Sequence, residues 1–348
     1  MTAYTVQMEQ LPKLCATWST QYGVHVPMAL GNGFYDFAPW RPGVEIAFEY
    51  DVAYNSLKRF FMPPREDMVA FDVENCTAGP VFAAPPTLLF GVHPYDIKAV
   101  TQLDQLMEAV SLDQNYFSRR DAVVIFALTP LAVADTAFWA SVGADKVDRG
   151  YDLYWTKTGP GTFHVEVGSG KGEELLLAAG PLPSATAGSR EAARKAQVRA
   201  TKLGLSRKLL YDWHETPHVL ERSWNSSVWH RKAEKCLACG SCNIVCPTCY
   251  CFDIREEVDE NLKTGRRFRE WDGCMLSGFA LVAGGHNFRA QAAERYRHRY
   301  MRKGKYIFDK IGELGCVGCG RCVRACTSKI ADPCAIFNAL WEERRHEI

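Results

Sequence analysis

Eight of the fourteen cysteines fall into two copies of one spacing. Cys236, Cys239, Cys242 and Cys246 read C-x2-C-x2-C-x3-C and are followed by Pro247. Cys316, Cys319, Cys322 and Cys326 repeat the pattern eighty residues later and are followed by Thr327. Thiolates at this spacing hold [4Fe–4S] cubes, whose chemistry is one-electron transfer. Three cysteines two residues apart wrap a loop over three irons. The fourth must come from elsewhere, because a tight loop cannot reach round the cube.

In two-cluster ferredoxins the last cysteine of each run serves the other cluster. Applied here, that rule gives Cys236, Cys239, Cys242 and Cys326 to one cluster and Cys316, Cys319, Cys322 and Cys246 to a second. Gly240, Gly318 and Gly320 suit the loops, since a residue without Cβ lets backbone N–H groups approach the sulfurs. Structural zinc also uses C-x2-C pairs, but it has no use for the third cysteine or for the x3-C ending, which here occurs twice. A disulfide framework does not suit a chain this long that begins without a basic and apolar secretory leader.

The 348 residues have room for two domains, and 47% hydrophobic with 23% charged residues is ordinary for a soluble globular protein. A net charge of +1 points neither to nucleic acid nor to an anionic membrane. No apolar run approaches the roughly 20 residues of a membrane helix. Cysteine-rich and leaderless, the chain is expected in the reducing cytoplasm.

Twelve of the cysteines lie beyond residue 180. The small-residue stretch PLPSATAGS, residues 181–189, reads as a linker. Before it, strands are expected at 44–50, 87–92, 122–128, 162–167 and 174–178, with a helix at 96–110. Strand, helix and strand in that order indicate a βαβ unit. The expected architecture is an α/β N-terminal scaffold domain over 1–180, a linker and joining helix over 181–214, and an α-rich ferredoxin-like dicluster domain over 215–348. That last domain carries a helical insertion at 247–315. Further helices are expected at 190–213, 224–235 and 335–343. Residues 168–172 lack the P-loop spacing and read as a hairpin turn, and no dinucleotide fingerprint follows a strand.

The strings CPTCYCF (246–252), WDGC (271–274), VAGGHNFR (282–289), RYRHR (295–299) and CVGCGRC (316–322), with KRFFMPPRE (58–66) and FGVHPYD (90–96), carry a resemblance. Together they resemble the iron–sulfur β-subunit family of cytoplasmic sulfhydrogenase-type [NiFe] hydrogenases, which also includes the corresponding iron–sulfur component of anaerobic sulfite reductase. The resemblance implies an electron relay joining a hydrogenase or sulfite-reducing subunit to a diaphorase-like flavoprotein subunit. The family's N-terminal half usually carries further cysteines. Here Tyr95 and the string Ala137-Phe138-Trp139 stand at such positions, and residues 127–130 offer none, so a cluster held there in relatives is expected to be lost, with Tyr95 and Trp139 filling its volume.

Cys249, Cys251 and Cys274 remain. They are candidates for a third cluster or another metal, or else packed thiols. Cys15, Cys76 and Cys334 are expected to be inert, and His93, His164 and His286 structural. Arginines crowd the insertion. Arg267, Arg289 and Arg297 are candidates for tuning a cluster or docking an acidic partner, and equally for a solvated face. A rival in a different class is an enzyme that reduces a sulfur compound at a site built from the insertion cysteines.

Overall fold

The computed structural model describes residues 2–109 and 111–345. Eleven strands are found among them: β1 (Ala3–Gln7), β2 (Gly23–Gly31), β3 (Phe34–Pro39), β4 (Arg65–Asp72), β5 (Thr77–Pro80), β6 (Thr87–Val92), β7 (Val123–Leu128), β8 (Leu153–Gly159), β9 (Thr162–Val167), β10 (Phe252–Val258) and β11 (Thr264–Trp271). Seven form a mixed sheet in the order β1-β9-β8-β7-β6-β2-β3. Its centre, β2, β6, β7 and β8, is parallel, and the flanking pairs are antiparallel.

Every residue of β6 and β7 is buried, as expected of parallel strands covered on both faces. Alternation divides them. Leu88, Phe90, Val124 and Phe126 face a core with Trp18 and Trp155, and Leu89, Val92, Ile125 and Ala127 face the helix Pro94–Glu108. That helix and a second one, Gln114–Ala122, lie between β6 and β7 in the chain and complete the parallel crossover. Val110, the end of the expected helix, lies outside the described residues.

Two expected strands are absent. Residues 44–50 are irregular: Val44, Ile46 and Phe48 do pack on the core, and Ala47 N donates to Pro27 O of β2 at 2.8 Å, but the segment forms no continuous ladder. Their alternation records burial without a ladder. Residues 174–178 belong to the helix Gly170–Leu177, whose start is fixed by Ser169, its Oγ accepting from Gly172 N at 3.0 Å. The expected hairpin turn at 168–172 is the start of this helix. A short apolar run does not reveal its own period, and the serine cap was the deciding signal. The helix expected at 190–213 runs Ala187–Gly204 and gives way to irregular chain.

The insertion is not the helical element expected. It contributes β10 and β11 before a single longer helix, Ala292–Met301. β11 pairs antiparallel with β4, so a second sheet, β10-β11-β4-β5, takes strands from both halves of the chain. Arg269 of β11 is fully buried there, its Nε donating to Glu66 of β4 at 2.8 Å, with Asp113 as a second partner.

A buried ion pair also ties the halves. Arg321, inside the second cysteine run, makes a bidentate contact of 2.6 and 2.7 Å with Asp96, and its Nε donates to Ala53 O. Both side chains are almost wholly out of water. Removing one partner leaves the other charge buried and alone, which costs about 3–5 kcal/mol. Asp96→Ala is therefore expected to lower stability by that amount in anaerobic denaturant titration. Combining it with Arg321→Met should recover most of the loss.

Candidate metal centres

The two cysteine loops share a backbone plan. In each, the residue before the second cysteine and the one after it lie in the left-handed region: Ala238 (φ 49) and Gly240 (φ 71), then Gly318 (φ 64) and Gly320 (φ 79). Successive turns of this kind point N–H groups into the concavity where sulfur charge collects. Short helices, Ser241–Ile244 and Arg321–Ala325, then present the third cysteine of each run. Ala238 sits where the second loop has Gly318, and packing gives the reason. A Cβ on Gly318 would fall 2.7 Å from the backbone of Trp139. Phe138 N also donates to Gly318 O at 2.8 Å, so the N-terminal half grips this loop directly.

Two cavities result. The first is ringed by Cys236, Cys239, Cys242 and Cys326 and walled by Leu237, Met275, Tyr296 and Ile330. The second is ringed by Cys246, Cys316, Cys319 and Cys322 and walled by Phe138, Pro247, Tyr300 and Val317. Each ring takes three cysteines from one run and the fourth from the other. The sulfurs surround a volume instead of converging on a point. Among the described residues, no three His, Cys, Asp or Glu side chains gather as they would around a single metal ion. Four cysteines round one cavity, three from one run and the fourth from the other, are the donor set of a [4Fe–4S] cluster.

The electrostatics agree with that fit. Arg299, 2% exposed, lines both cavities, and Lys303, 4% exposed, lines the second. Arg299 donates to Cys242 O at 2.9 Å and approaches Cys249 Sγ at 3.8 Å. Lys303 donates to Thr248 Oγ1 at 2.5 Å. Lys58, 3% exposed, donates to the carbonyls of Asn243 and Cys249 and lies 4.1 Å over the Trp271 ring. Among the described residues none of the three is ion-paired with a carboxylate. A buried cation needs a compensating anion, and sulfur is what surrounds these. Burial, with lesser contributions from neighbouring sulfurs, pushes the Cys242 and Cys316 thiols up to about 11, and ligation to a metal is a way to hold such buried sulfurs as thiolates.

Sequence reasoning singled out Arg267, Arg289 and Arg297, and none of them lines a cavity. Arg267 pairs with Glu256 on the exposed β10–β11 hairpin, and Arg297 lies 4.1 Å over Trp224. The cations at the cavities are Arg299, one of several arginines in that stretch, and Lys303, which had drawn no notice. Lys303 is turned inward by a π-helical turn, Arg302–Tyr306, a local irregularity without a periodic signature.

Cys249, Cys251 and Cys274 lie beside the rings, Cys249 against Cys246 of the second and both Cys249 and Cys274 near Cys242 of the first. Asn243 Nδ2 donates to Cys274 Sγ at 3.4 Å and to Cys249 Sγ at 3.6 Å. A hydrogen bond from Cys246, then Lys303, Arg299 and Lys58, hold the Cys249 thiol well below the usual range against its burial. Burial pushes Cys251 up to about 11. Cys15, Cys76 and Cys334 lie apart from the cavities. Tyr95 and Trp139 are both fully buried and stack at 6.0 Å, and His93 stacks on Tyr50 at 3.9 Å within the same aromatic layer.

Gly318→Ala forces a left-handed alanine against the Trp139 backbone and is expected to cost about 2–3 kcal/mol. Ala238→Gly, at the matching position of the first loop, relieves strain and is expected to be neutral or stabilising. Denaturation midpoints of the two variants under anaerobic conditions check the contrast.

Comparison with known proteins agrees with this geometry. Residues 235–330 match the family described as the 4Fe-4S dicluster domain. Over 304 residues, 86% of this chain and 87% of its relative, the sequence is 32% identical to sulfhydrogenase 2 subunit beta of Pyrococcus furiosus. A buried pair of cysteine-ringed cavities, a dicluster match spanning both runs and similarity along most of the chain together place this protein in the sulfhydrogenase β-subunit family.

Proposed function

We propose that the chain relays single electrons through two [4Fe–4S] clusters within a cytoplasmic oxidoreductase, with a flavoprotein subunit on one side and a hydrogenase or sulfite-reducing subunit on the other. Cys236, Cys239, Cys242 and Cys326 are the ligands proposed for one cluster, and Cys316, Cys319, Cys322 and Cys246 for the other. The observation that carries the reading is the pair of adjacent cavities, each ringed by four cysteines and both walled by Arg299. When bound, such clusters supply reversible one-electron redox chemistry. The chain's own part is to space the two rings, to wall them with Tyr296, Tyr300, Phe138 and Met275 against water, and to place fixed positive charge beside them. A cytoplasmic setting suits a chain with fourteen cysteines, eight of them proposed as cluster ligands, since a reducing compartment keeps such thiols from pairing as disulfides. Among the described residues, no helix is long and apolar enough to cross a membrane.

The rival reading, sulfur reduction at the insertion cysteines, needs a substrate to reach them. Cys249 and Cys274 are both buried, and the Asn243 amide lies between their sulfurs. We therefore favour the relay.

Iron and acid-labile sulfide in anaerobically purified protein are expected at about eight of each per chain. About twelve would assign Cys249, Cys251 and Cys274, the group that Lys58 faces, to a third cluster. Stoichiometric zinc with little iron would overturn the reading.

Reduction adds negative charge, which the buried cations favour. Arg299→Gln is expected to lower both cluster potentials, on the order of 50–100 mV for a neighbouring unit charge at an effective dielectric of about 20. Lys303→Gln should lower chiefly the second. Spectroelectrochemical titration separates the two. Equal potentials in wild type and Arg299→Gln would remove Arg299 from the mechanism.

A further inference from the structure

We propose that the mouth of the first cavity and the adjoining loop, residues 276–291, form the docking face for a redox partner whose surface has an apolar centre and an acidic rim. The proposal rests on the relay reading and adds the place of exchange and the chemistry of the partner.

Access distinguishes the two cavities. In the first, Cys239 is exposed and Leu237, also on the wall, is 67% exposed. In the second, Cys246, Cys319 and Cys322 are buried, and Phe138 and Trp139 back the loop. Outer-sphere exchange weakens steeply with separation, so a partner gains most by approaching the centre with the least protein over it. That centre is the first.

The adjoining loop is built for contact. It leaves the cavity wall at Met275, and Leu276 packs on the cysteine loop where Gly240 has no side chain. It then folds back on itself. Val282 N donates to His286 O at 2.9 Å, Phe288 N to Ala280 O at 3.2 Å, and Asn287 Nδ2 to Ser277 O at 2.7 Å. On this braced turn Leu281, Val282 and Phe288 are 55%, 44% and 65% exposed. An ordered loop that holds three large apolar side chains in water marks an interaction surface.

The charges beside it fix the partner's chemistry. Arg231, Lys232 and Lys235 are exposed next to Cys236, against Glu234 alone, and Lys329 is exposed just after Cys326. The whole chain carries only +1, so this rim is a local excess. Such a rim steers an acidic surface into place while the apolar centre holds it.

The test uses the complex captured through a tag on this chain. Hydroxyl-radical footprinting compares the free chain with the complex. Oxidation of Leu237, Leu281 and Phe288 is expected to fall several-fold in the complex, while the exposed Leu30 and Leu262 stay unchanged. Carbodiimide coupling, which joins amines to contacting carboxylates, should link Lys232 and Lys235 to partner acids. Phe288→Glu should release the partner while the iron content of the chain is retained. Equal oxidation of the three residues in both states, with protection at Leu30 or Leu262, overturns the docking face. If iron is full and both centres accept electrons from dithionite, the relay survives that result. If iron is absent, the relay fails with it.

Discussion

Two loops eighty residues apart complete each other's ring of sulfurs, and the rest of the structure depends on that exchange. Neither loop can close a ring alone, so the chain between them must leave the first loop and return to place the second against it. The intervening residues do this with a hairpin that builds a second sheet on β4 of the N-terminal half and with the helix Ala292–Met301 that comes back between the loops. Arg299 projects from that helix into the wall common to both cavities.

The N-terminal half acts as a clamp on the second loop. Trp139 presses on Gly318, Thr136 donates to Gly320 O, and Asp96 holds Arg321. These contacts come from separate places on the α/β scaffold. The aromatic stack of Tyr95 and Trp139 is fully buried behind these contacts and leaves the clamp closely packed.

Charge completes the design. The centre of the molecule buries Arg299, Lys303 and Lys58, and among the described residues none is ion-paired with a carboxylate. In an ordinary core such cations would be a liability. Beside thiolate-bound iron–sulfur clusters they would act as fixed counter-charges and would bear on how easily each centre takes an electron. Arg269 and Arg321, equally buried, are by contrast neutralised by Glu66, Asp113 and Asp96, and serve the fold.

The sequence by itself determined what is local. The cysteine spacing is a loop property, so the two four-cysteine runs were legible before any coordinates, and the two-cluster ferredoxin rule supplied the crosswise ligand sets proposed for them. The continuous apolar runs of β6 and β7 and the amphipathic helix between them were legible for the same reason. Tertiary structure decided what depends on distant partners. Residues 44–50 have a strand's alternation but form no continuous ladder with a neighbour, and β11, rich in arginine, is a strand because β4 and β10 supply opposite charges across it. The choice of Arg299 and Lys303 over Arg267, Arg289 and Arg297 belongs to the same class. All five carry the same charge in sequence, and only the whole fold decides which of them are buried against a cavity and which lie half-buried or exposed elsewhere.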